Sequence, residues 1–219
     1  MSRHEKKVMQ KSVSVAQIEQ VRKMAGDKGI DRDRFQKFGL DNGLVALALD
    51  AVVLGLPITI GIPIIPPPGG RIHTVRIKVA LNRPWLEAVN TAGPDTPDNY
   101  NVRKVGDLYL PTGTGVIEED LILLNYPAGD GSWEKALAWA DQFRLRKTDP
   151  RRVFAIGEGH PNFHKEVGID PTYVVATEEC SFVGRRQACV VWWSGSERRA
   201  RLDWVSRCGY AHAWFAFRK

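Results

Sequence analysis

The residue types that most often do chemistry are present without the spacings that chemistry needs. His160 and His164 lie four residues apart beside Glu158, and two histidines at that separation on a helix can share a metal ion. Pro161 is expected to start a helix after His160, so the two rings need not share a face. No third ligand has a spacing that strengthens this cluster, and we predict no metal site.

Two other patterns are weak candidates for catalysis or phosphate binding. The run Glu118–Asp120 is acidic, but an acidic cluster just before a strand is typical of a solvated strand end. The pattern Gly113–Gly115 is too short and too common to indicate a phosphate-binding loop. The chain also shows neither a nucleophile elbow nor a legible arrangement of Ser, His and Asp. The sequence gives no specific support to an enzyme and predicts no cofactor.

The carboxyl-terminal residues carry the types that recognise ligands. Residues 180–219 contain eight Arg or Lys and two acids, a surplus of six that equals the net charge of the chain, and four of its seven tryptophans. Trp, Tyr and Arg dominate binding hot spots because they offer large contact area at limited entropic cost. On alternating strands at most half of the large side chains can face inward. We expect these to be Leu202, Trp204, Phe215 and Phe217, and the others to face a ligand.

Composition indicates an ordinary folded protein. The 219 residues are 43% hydrophobic and 26% charged, which excludes disordered and collagen-like classes. The three cysteines form no C-x-x-C pair, and the basic amino terminus has no apolar run behind it, so we predict a reduced, cytoplasmic setting without a signal peptide. The uncharged stretch 51–70 is broken by five prolines, and it predicts no membrane span.

Three regions are predicted along the chain. Residues 1–50 resemble a small helical module, opened by a capping box at Ser14 and Gln17. Such a module either reads DNA as a helix-turn-helix or serves docking and oligomerisation, although its helices carry no clear row of base-reading side chains. Residues 51–70 are a proline-rich connector that ends in Pro-Pro-Pro-Gly-Gly. Residues 71–219 form the main domain.

The main domain is predicted to mix helices and strands. Hydrophobic periodicity favours strands at 71–81 and 116–126 and helices at 84–92, 132–147 and from 149, with one or two further turns at 161–167. Residues 93–115 are expected to be mostly loop, with a brief strand at 107–110. Four short strands complete an antiparallel sheet, at 173–176, 187–193, 199–205 and 211–217. The fold class is therefore α+β.

The order of motifs in the tail resembles a known group of proteins. Gly184-Arg185-Arg186, then Leu202-Asp203-Trp204, then the terminal Ala213–Lys219 are similar to small uncharacterised bacterial proteins, many from candidate-phylum genomes. In that group this segment resembles the variable region of proteins diversified by retroelements. The resemblance covers roughly residues 71–219.

The resemblance implies a fold and a site. It implies a C-type-lectin-like domain made of a strand, two helices and a small twisted antiparallel sheet, with the binding face in 181–217. The implied ligand-facing residues are Trp193, Asp203, Ser206, Arg207, Tyr210 and His212. The chain departs from the pattern at Cys208, where a tryptophan is expected, and at His212, where a cysteine is expected.

The sequence thus predicts a noncatalytic protein that recognises an unknown protein or small-molecule ligand without a metal. The open alternative is a nucleic-acid-binding protein that uses the basic aromatic tail or the amino-terminal helices. Single-stranded nucleic acid can stack on Trp and Tyr and pair with Arg, so composition alone does not separate the two functions.

Overall fold

The structure is a computed structural model of the 219-residue chain, and it describes residues 64–219 together with Lys23. Apart from Lys23, the predicted helical module at 1–50 lies outside the described residues, as does the predicted connector up to Pro63. In the described end of the connector, the Gly70 N–H donates to the Pro67 carbonyl at 2.8 Å and closes a turn just before the first strand.

Helices and strands alternate irregularly from there to the end of the chain. In the described part, the helices are α1 (Trp85–Ala92), α2 (Trp133–Gln142), α3 (Pro150–Gly159) and α4 (Phe163–Val167). The strands are β1 (Arg71–Ala80), β2 (Val116–Asn125), β3 (Arg146–Lys147), β4 (Thr172–Phe182), β5 (Arg185–Ser194), β6 (Glu197–Trp204) and β7 (Ala213–Arg218). The mixed α+β class is confirmed. None of the described helices has the length and apolar character to cross a membrane.

The strands form a single sheet whose last strand lies in its middle. The order is β1-β2-β7-β4-β5-β6, and the short β3 also pairs with β7. All the pairings are antiparallel except that of β4 with β7, which is parallel. Trp214 of β7 lies opposite Asn125 of β2 on one side and Val174 of β4 on the other. Strand β7 therefore joins the two halves of the sheet.

Both faces of the sheet are covered. Trp214 and Ala216 point into a core that also contains apolar residues of α1, α3 and α4. Phe215 and Phe217 point into a second core that contains the apolar face of α2. Since β7 alternates between two apolar environments, each of its large side chains contributes roughly 1.5–3 kcal/mol of burial free energy.

This double coverage corrects one sequence expectation. From the sequence we expect at most half of the large side chains in the tail to face inward, on the assumption that only one face of the sheet is buried. This expectation is wrong, since both faces are buried. Phe215 and Phe217 are buried as expected. Trp214 is also buried, because it lies on the side of the sheet that α1, α3 and α4 cover. Leu202 and Trp204, expected in the core, are only half-buried because they lie on the edge strand β6.

Local signals account for the helix starts better than for the helix ends. The Ser132 hydroxyl accepts the Lys135 N–H at 3.1 Å, and the Asp149 carboxylate caps α3 before its first-position proline. The helix predicted to reach residue 147 ends at Gln142 instead. Residues 146 and 147 pair with β7 as the strand β3, so hydrogen bonds to the central strand replace the last helical turn.

The brief strand predicted at 107–110 is also wrong. This region holds two short 3-10 turns, Asn101–Lys104 and Gly106–Leu108. The indole of Trp85 fixes them, because its N–H donates to the Val102 carbonyl at 2.7 Å and its ring stacks on Tyr109 at 5.5 Å between centroids. A Cβ at Gly106 would lie 2.8 Å from the Trp85 ring, so the close approach of this turn requires glycine.

A buried amide joins β2 to the segment that enters β7. The Asn125 side chain is 0% exposed; its NH2 group donates to the carbonyls of Ala211 and Ala213 at 2.7 and 2.8 Å, and its oxygen accepts from Arg71 Nε at 2.8 Å. All three contacts span more than 50 residues of sequence. Asn125 therefore fixes where the chain turns into the central strand.

We expect Asn125→Ala to lower the free energy of unfolding by about 2 kcal/mol or more, because it leaves two carbonyls near the core without their donor. Urea titration at neutral pH measures the change. The exposed Asn101 supplies the control, and Asn101→Ala should cost less than about 0.5 kcal/mol. Equal costs for the two variants would contradict the anchoring role of Asn125.

Candidate functional site

Five of the six predicted ligand-facing residues lie along one stretch of chain. Asp203 is half-buried near the end of β6, and Ser206 and Arg207 are exposed in a 3-10 turn, Val205–Arg207, that follows it. Tyr210 is 56% exposed and His212 is half-buried just before β7. We call these five residues, as the candidate site, the recognition face. They share a stretch of chain, but the Arg207 guanidinium lies over Trp204, on the opposite side of β6 from Asp203.

The prediction that Trp193, the sixth residue, faces a ligand is wrong. Its side chain is 1% exposed and lies in the core beneath α4, with its ring 5.4 Å from that of Phe163. The resemblance implies a ligand-facing Trp193, but α4 covers this side of β5. It therefore supports the sheet and contacts no ligand.

Tyr173 of β4 supports the recognition face from beneath, and sequence reasoning assigned it only to a strand. Its hydroxyl donates to the Arg207 carbonyl at 3.2 Å, and its ring meets His212 edge-on at 5.0 Å between centroids. His212 in turn stacks on Tyr210 at 5.8 Å with 13° between the planes. The exposed ring of Tyr210 is thus connected to the sheet through His212 and Tyr173.

Burial keeps the Tyr173 phenol and the Cys208 thiol of this region uncharged near neutral pH. Burial, with the Cys208 thiol and the Asp203 carboxylate nearby, holds the pKa of Tyr173 well above its usual value. Burial raises the pKa of the Cys208 thiol to about 12, and that thiol donates to the Trp204 carbonyl at 3.4 Å. Because the thiolate is the reactive form of cysteine, Cys208 is a packing residue rather than a nucleophile.

Arginine side chains lie over two tryptophans beside the recognition face. Arg185 and Arg207 place their guanidinium carbons 4.5 and 4.0 Å from the ring centroid of Trp204. On β6, Arg199 and Arg201 lie 5.6 and 5.9 Å from the ring centroid of Trp192. Each such contact is worth about 0.5–1 kcal/mol at an exposed site. They hold four cations close to the β5–β6 edge of the sheet.

The two tryptophans lie on opposite sides of the sheet. Residues directly opposite each other in antiparallel strands share a side of the sheet. Trp192 lies opposite Arg199, and Trp204 lies opposite Gln187. Because side chains alternate along a strand and an odd number of positions separates Arg199 from Trp204, the two tryptophans point to opposite sides. The predicted alternation of β6 is therefore confirmed, with Trp204 on one side and Arg199, Arg201 and Asp203 on the other. The cations consequently border the edge of the sheet on both sides.

The histidine cluster considered from the sequence does not assemble as a metal site. His160 lies 3.0 Å from a Glu166 oxygen through Nδ1 and 3.2 Å from the Arg76 carbonyl through Nε2. His164 is buried in α4. Within residues 64–219 there is no group of three or more His, Cys, Asp or Glu side chains that could hold an ion.

The acidic run Glu118–Asp120 lies within β2 and not before it, and its two glutamates form ion pairs. Glu118 pairs with Lys78 at 3.1 Å and with Arg76 at 3.6 Å across the β1–β2 ladder. Glu119 pairs with Arg152, which also pairs with its own helix cap Asp149. These carboxylates are occupied by neighbouring cations and are poor candidates for proton transfer.

An open depression of about 630 Å³ lies away from the recognition face. Its lining includes His164 and Lys165 of α4, Asp170, and the residues Gly195, Ser196 and Glu197 at the β5–β6 turn. The Asp170 carboxylate accepts the Gly195 N–H at 3.1 Å, so it closes this turn. None of the predicted ligand-facing residues lines the depression.

Comparisons of the chain with known protein families, with curated proteins and with solved structures find no match. The geometry of the surface is therefore the basis for assigning a function.

We predict that two aromatic substitutions change the free energy of unfolding by very different amounts. Trp193→Ala should lower the free energy of unfolding by about 3–5 kcal/mol, because it empties a filled core position. Tyr210→Ala should change it by less than about 1 kcal/mol, because most of that ring is already in water. Thermal and urea unfolding of both variants test this. A stable Trp193→Ala protein would contradict the burial of that side chain.

Stability should also depend on pH through His212. Burial lowers the pKa of His212 below its ordinary value of 6.5, so the unfolded chain binds its proton more tightly than the folded protein does. The stability contribution of neutral His212 is complete above about pH 6.5 and is lost as the pH falls towards the folded-state pKa. His212→Gln should flatten urea-derived stability between neutral and mildly acidic pH. An unchanged slope would contradict the buried, neutral assignment.

Proposed function

We propose that this chain is a noncatalytic ligand-binding protein whose recognition face consists of Asp203, Ser206, Arg207, Tyr210 and His212. The observation that carries the proposal is the exposed Tyr210 ring, held by its stack on His212. A tyrosine offers a large, rigid contact surface with one hydrogen-bonding end, and it loses little conformational entropy on binding.

Rigid support strengthens this proposal. The segment that carries Tyr210 begins at the end of β6 and returns to the central strand β7, and Asn125 and Tyr173 bind its backbone at Ala211 and Arg207. A loop fixed at both ends and in its middle needs little ordering when it binds. Preorganisation of this kind lowers the entropic cost of association.

The chemistry favours binding over catalysis. Among the described residues of this region, the Cys208 thiol and the Tyr173 phenol have raised pKa values. His212 contacts Tyr173 and Tyr210 through their rings, and the Tyr173 hydroxyl donates to the Arg207 carbonyl instead. An activated nucleophile needs a base within hydrogen-bonding reach. The described recognition face has no such pair.

We further propose that the domain is C-type-lectin-like and belongs with retroelement-diversified variable proteins. The element order of β2, then α2 and α3, then the antiparallel strands β4–β6 agrees with the strand, two helices and small sheet that the sequence resemblance implies. The final strand β7 lies beside β2, so the segment from β6 to β7 is presented at one end of a closed scaffold.

Selection from a random-peptide display library against the immobilised protein tests the binding function. Peptides selected on the wild-type protein should lose at least tenfold in affinity for Tyr210→Ala, because a buried aromatic anchor is typically worth more than about 1–2 kcal/mol. Leu110→Ala, at an exposed apolar residue of a different loop, is the matched control and should bind normally. Peptides that bind both variants as tightly as wild type would refute this site.

Sequencing the same locus in many cells of the source population tests diversification. Coding changes should fall at the exposed and half-buried positions 201, 203, 206, 207, 210 and 212. They should spare the buried residues Trp193, Val205, Cys208 and Ala213–Phe217, because changes there would open the core. Changes scattered across the gene, or silent throughout, would remove the case for a diversified protein.

Nucleic-acid binding is a second candidate because four arginines border β5 and β6 around two tryptophans. Neutralisation of phosphates would make such binding fall steeply as salt rises. The same geometry disfavours base stacking, since Trp192 and Trp204 are half-buried and already lie against guanidinium groups. Tyr210 remains the one exposed ring of the described recognition face.

A further inference from the structure

Two arginines from different parts of the chain, Arg185 and Arg207, lie over the ring of Trp204. Arg185 begins β5 directly after the two-residue turn Val183-Gly184, whose φ angles of 51° and 68° give a tight hairpin. Arg207 ends the 3-10 turn after β6. The guanidinium carbons of Arg185 and Arg207 lie 4.5 and 4.0 Å from the Trp204 ring centroid. The distance between the two carbons therefore cannot exceed these two distances taken together.

The two cations have no anionic partner among the described residues. The next arginine along β5, Arg186, pairs with Glu179 at 2.7 Å, and Arg199 pairs with Glu197 at 2.8 Å. No carboxylate of the described chain lies within ion-pair distance of Arg185 or Arg207, and Asp203 lies on the other side of β6. Two like charges this close repel each other, and a bound anion would reverse that cost.

Stacking leaves each guanidinium ready to bind a carboxylate. A guanidinium lying over an aromatic ring keeps its N–H edge free, and that planar edge matches the two oxygens of a carboxylate. Both side chains are exposed, so a ligand can reach them. The indole restricts the position of both groups before any ligand arrives.

We infer that Arg185, Arg207 and Trp204 form a subsite for a peptide segment carrying clustered Asp or Glu side chains. The inference rests on the proposed function and gives its ligand a chemical class, since Arg207 belongs to the recognition face. A peptide is favoured over single-stranded nucleic acid because the Trp204 ring, already in contact with two guanidiniums, is poorly placed to stack a base.

Fluorescence anisotropy of the full chain with labelled probes tests the subsite. The probes are a peptide of alternating Glu and Gly, its counterpart with Gln in place of Glu, and an oligothymidylate of equal charge. The variants are Arg185→Gln and Arg207→Gln. Arg186→Gln is the matched control, because it removes the same charge from a neighbouring residue that already has a carboxylate partner. Thermal unfolding confirms that each variant is folded.

The Glu peptide should bind the wild-type protein, and each of Arg185→Gln and Arg207→Gln should weaken it roughly tenfold, as expected for loss of a charge-assisted hydrogen bond. Arg186→Gln should change affinity by less than about twofold, and the Gln peptide should not bind. Equal weakening by all three variants would show a general field instead of a subsite. Absence of binding, or tighter binding of oligothymidylate, would also overturn the inference.

Failure of this subsite is distinguishable from failure of the recognition face. Display-selected peptides that depend on Tyr210, together with no binding of the Glu peptide, would leave the proposed function in place and refute the acidic subsite. Binding of the Glu peptide that depends on Arg185 and Arg207 but is unchanged in Tyr210→Ala would support the subsite alone.

Discussion

The burial of β7 on both faces is the constraint on which the rest of the structure depends. Trp214 and Phe215 are adjacent in sequence and enter different cores, so the strand cannot slip by one residue without exchanging the two environments. Its ladders to β2 and to β4 join the two halves of the sheet. The sheet is therefore complete only when residues 213–218 are in place between β2 and β4.

The same constraint explains how an exposed segment is held in a fixed position. The chain leaves the edge strand β6 and must return to the centre of the sheet at Ala213, which obliges residues 205–212 to cross the end of β4 and β5. Tyr173 and Asn125 bind that crossing through its backbone carbonyls, so these hydrogen bonds do not depend on the exposed side chains of Ser206, Arg207 and Tyr210. Main-chain fixing of this loop is what the proposed diversification of its exposed residues would require.

Much of the fold could be predicted from local pattern, and the part that failed has a common physical origin. The caps at Ser132 and Asp149 and the alternation of β6 involve neighbours in sequence. The burial of Trp193 depends on α4, the early end of α2 depends on pairing with β7, and the role of Tyr173 depends on a residue 34 positions away. Ser206, Arg207 and Tyr210 are exposed in the connection between β6 and β7. Residues of such connections are exposed whatever the sheet packs against, whereas strand residues are exposed only if nothing covers them.

We expect the aromatic side chains of residues 180–219 to differ in their accessibility to solvent. Hydroxyl-radical footprinting of the native protein, read by mass spectrometry, measures it residue by residue. Tyr210 should react at close to the rate of the unfolded chain, while Trp193 and Trp214, at 1% and 2% exposure, should be strongly protected. Protection of Tyr210, or rapid oxidation of Trp193 and Trp214, would contradict a sheet closed on both faces that carries an open recognition face.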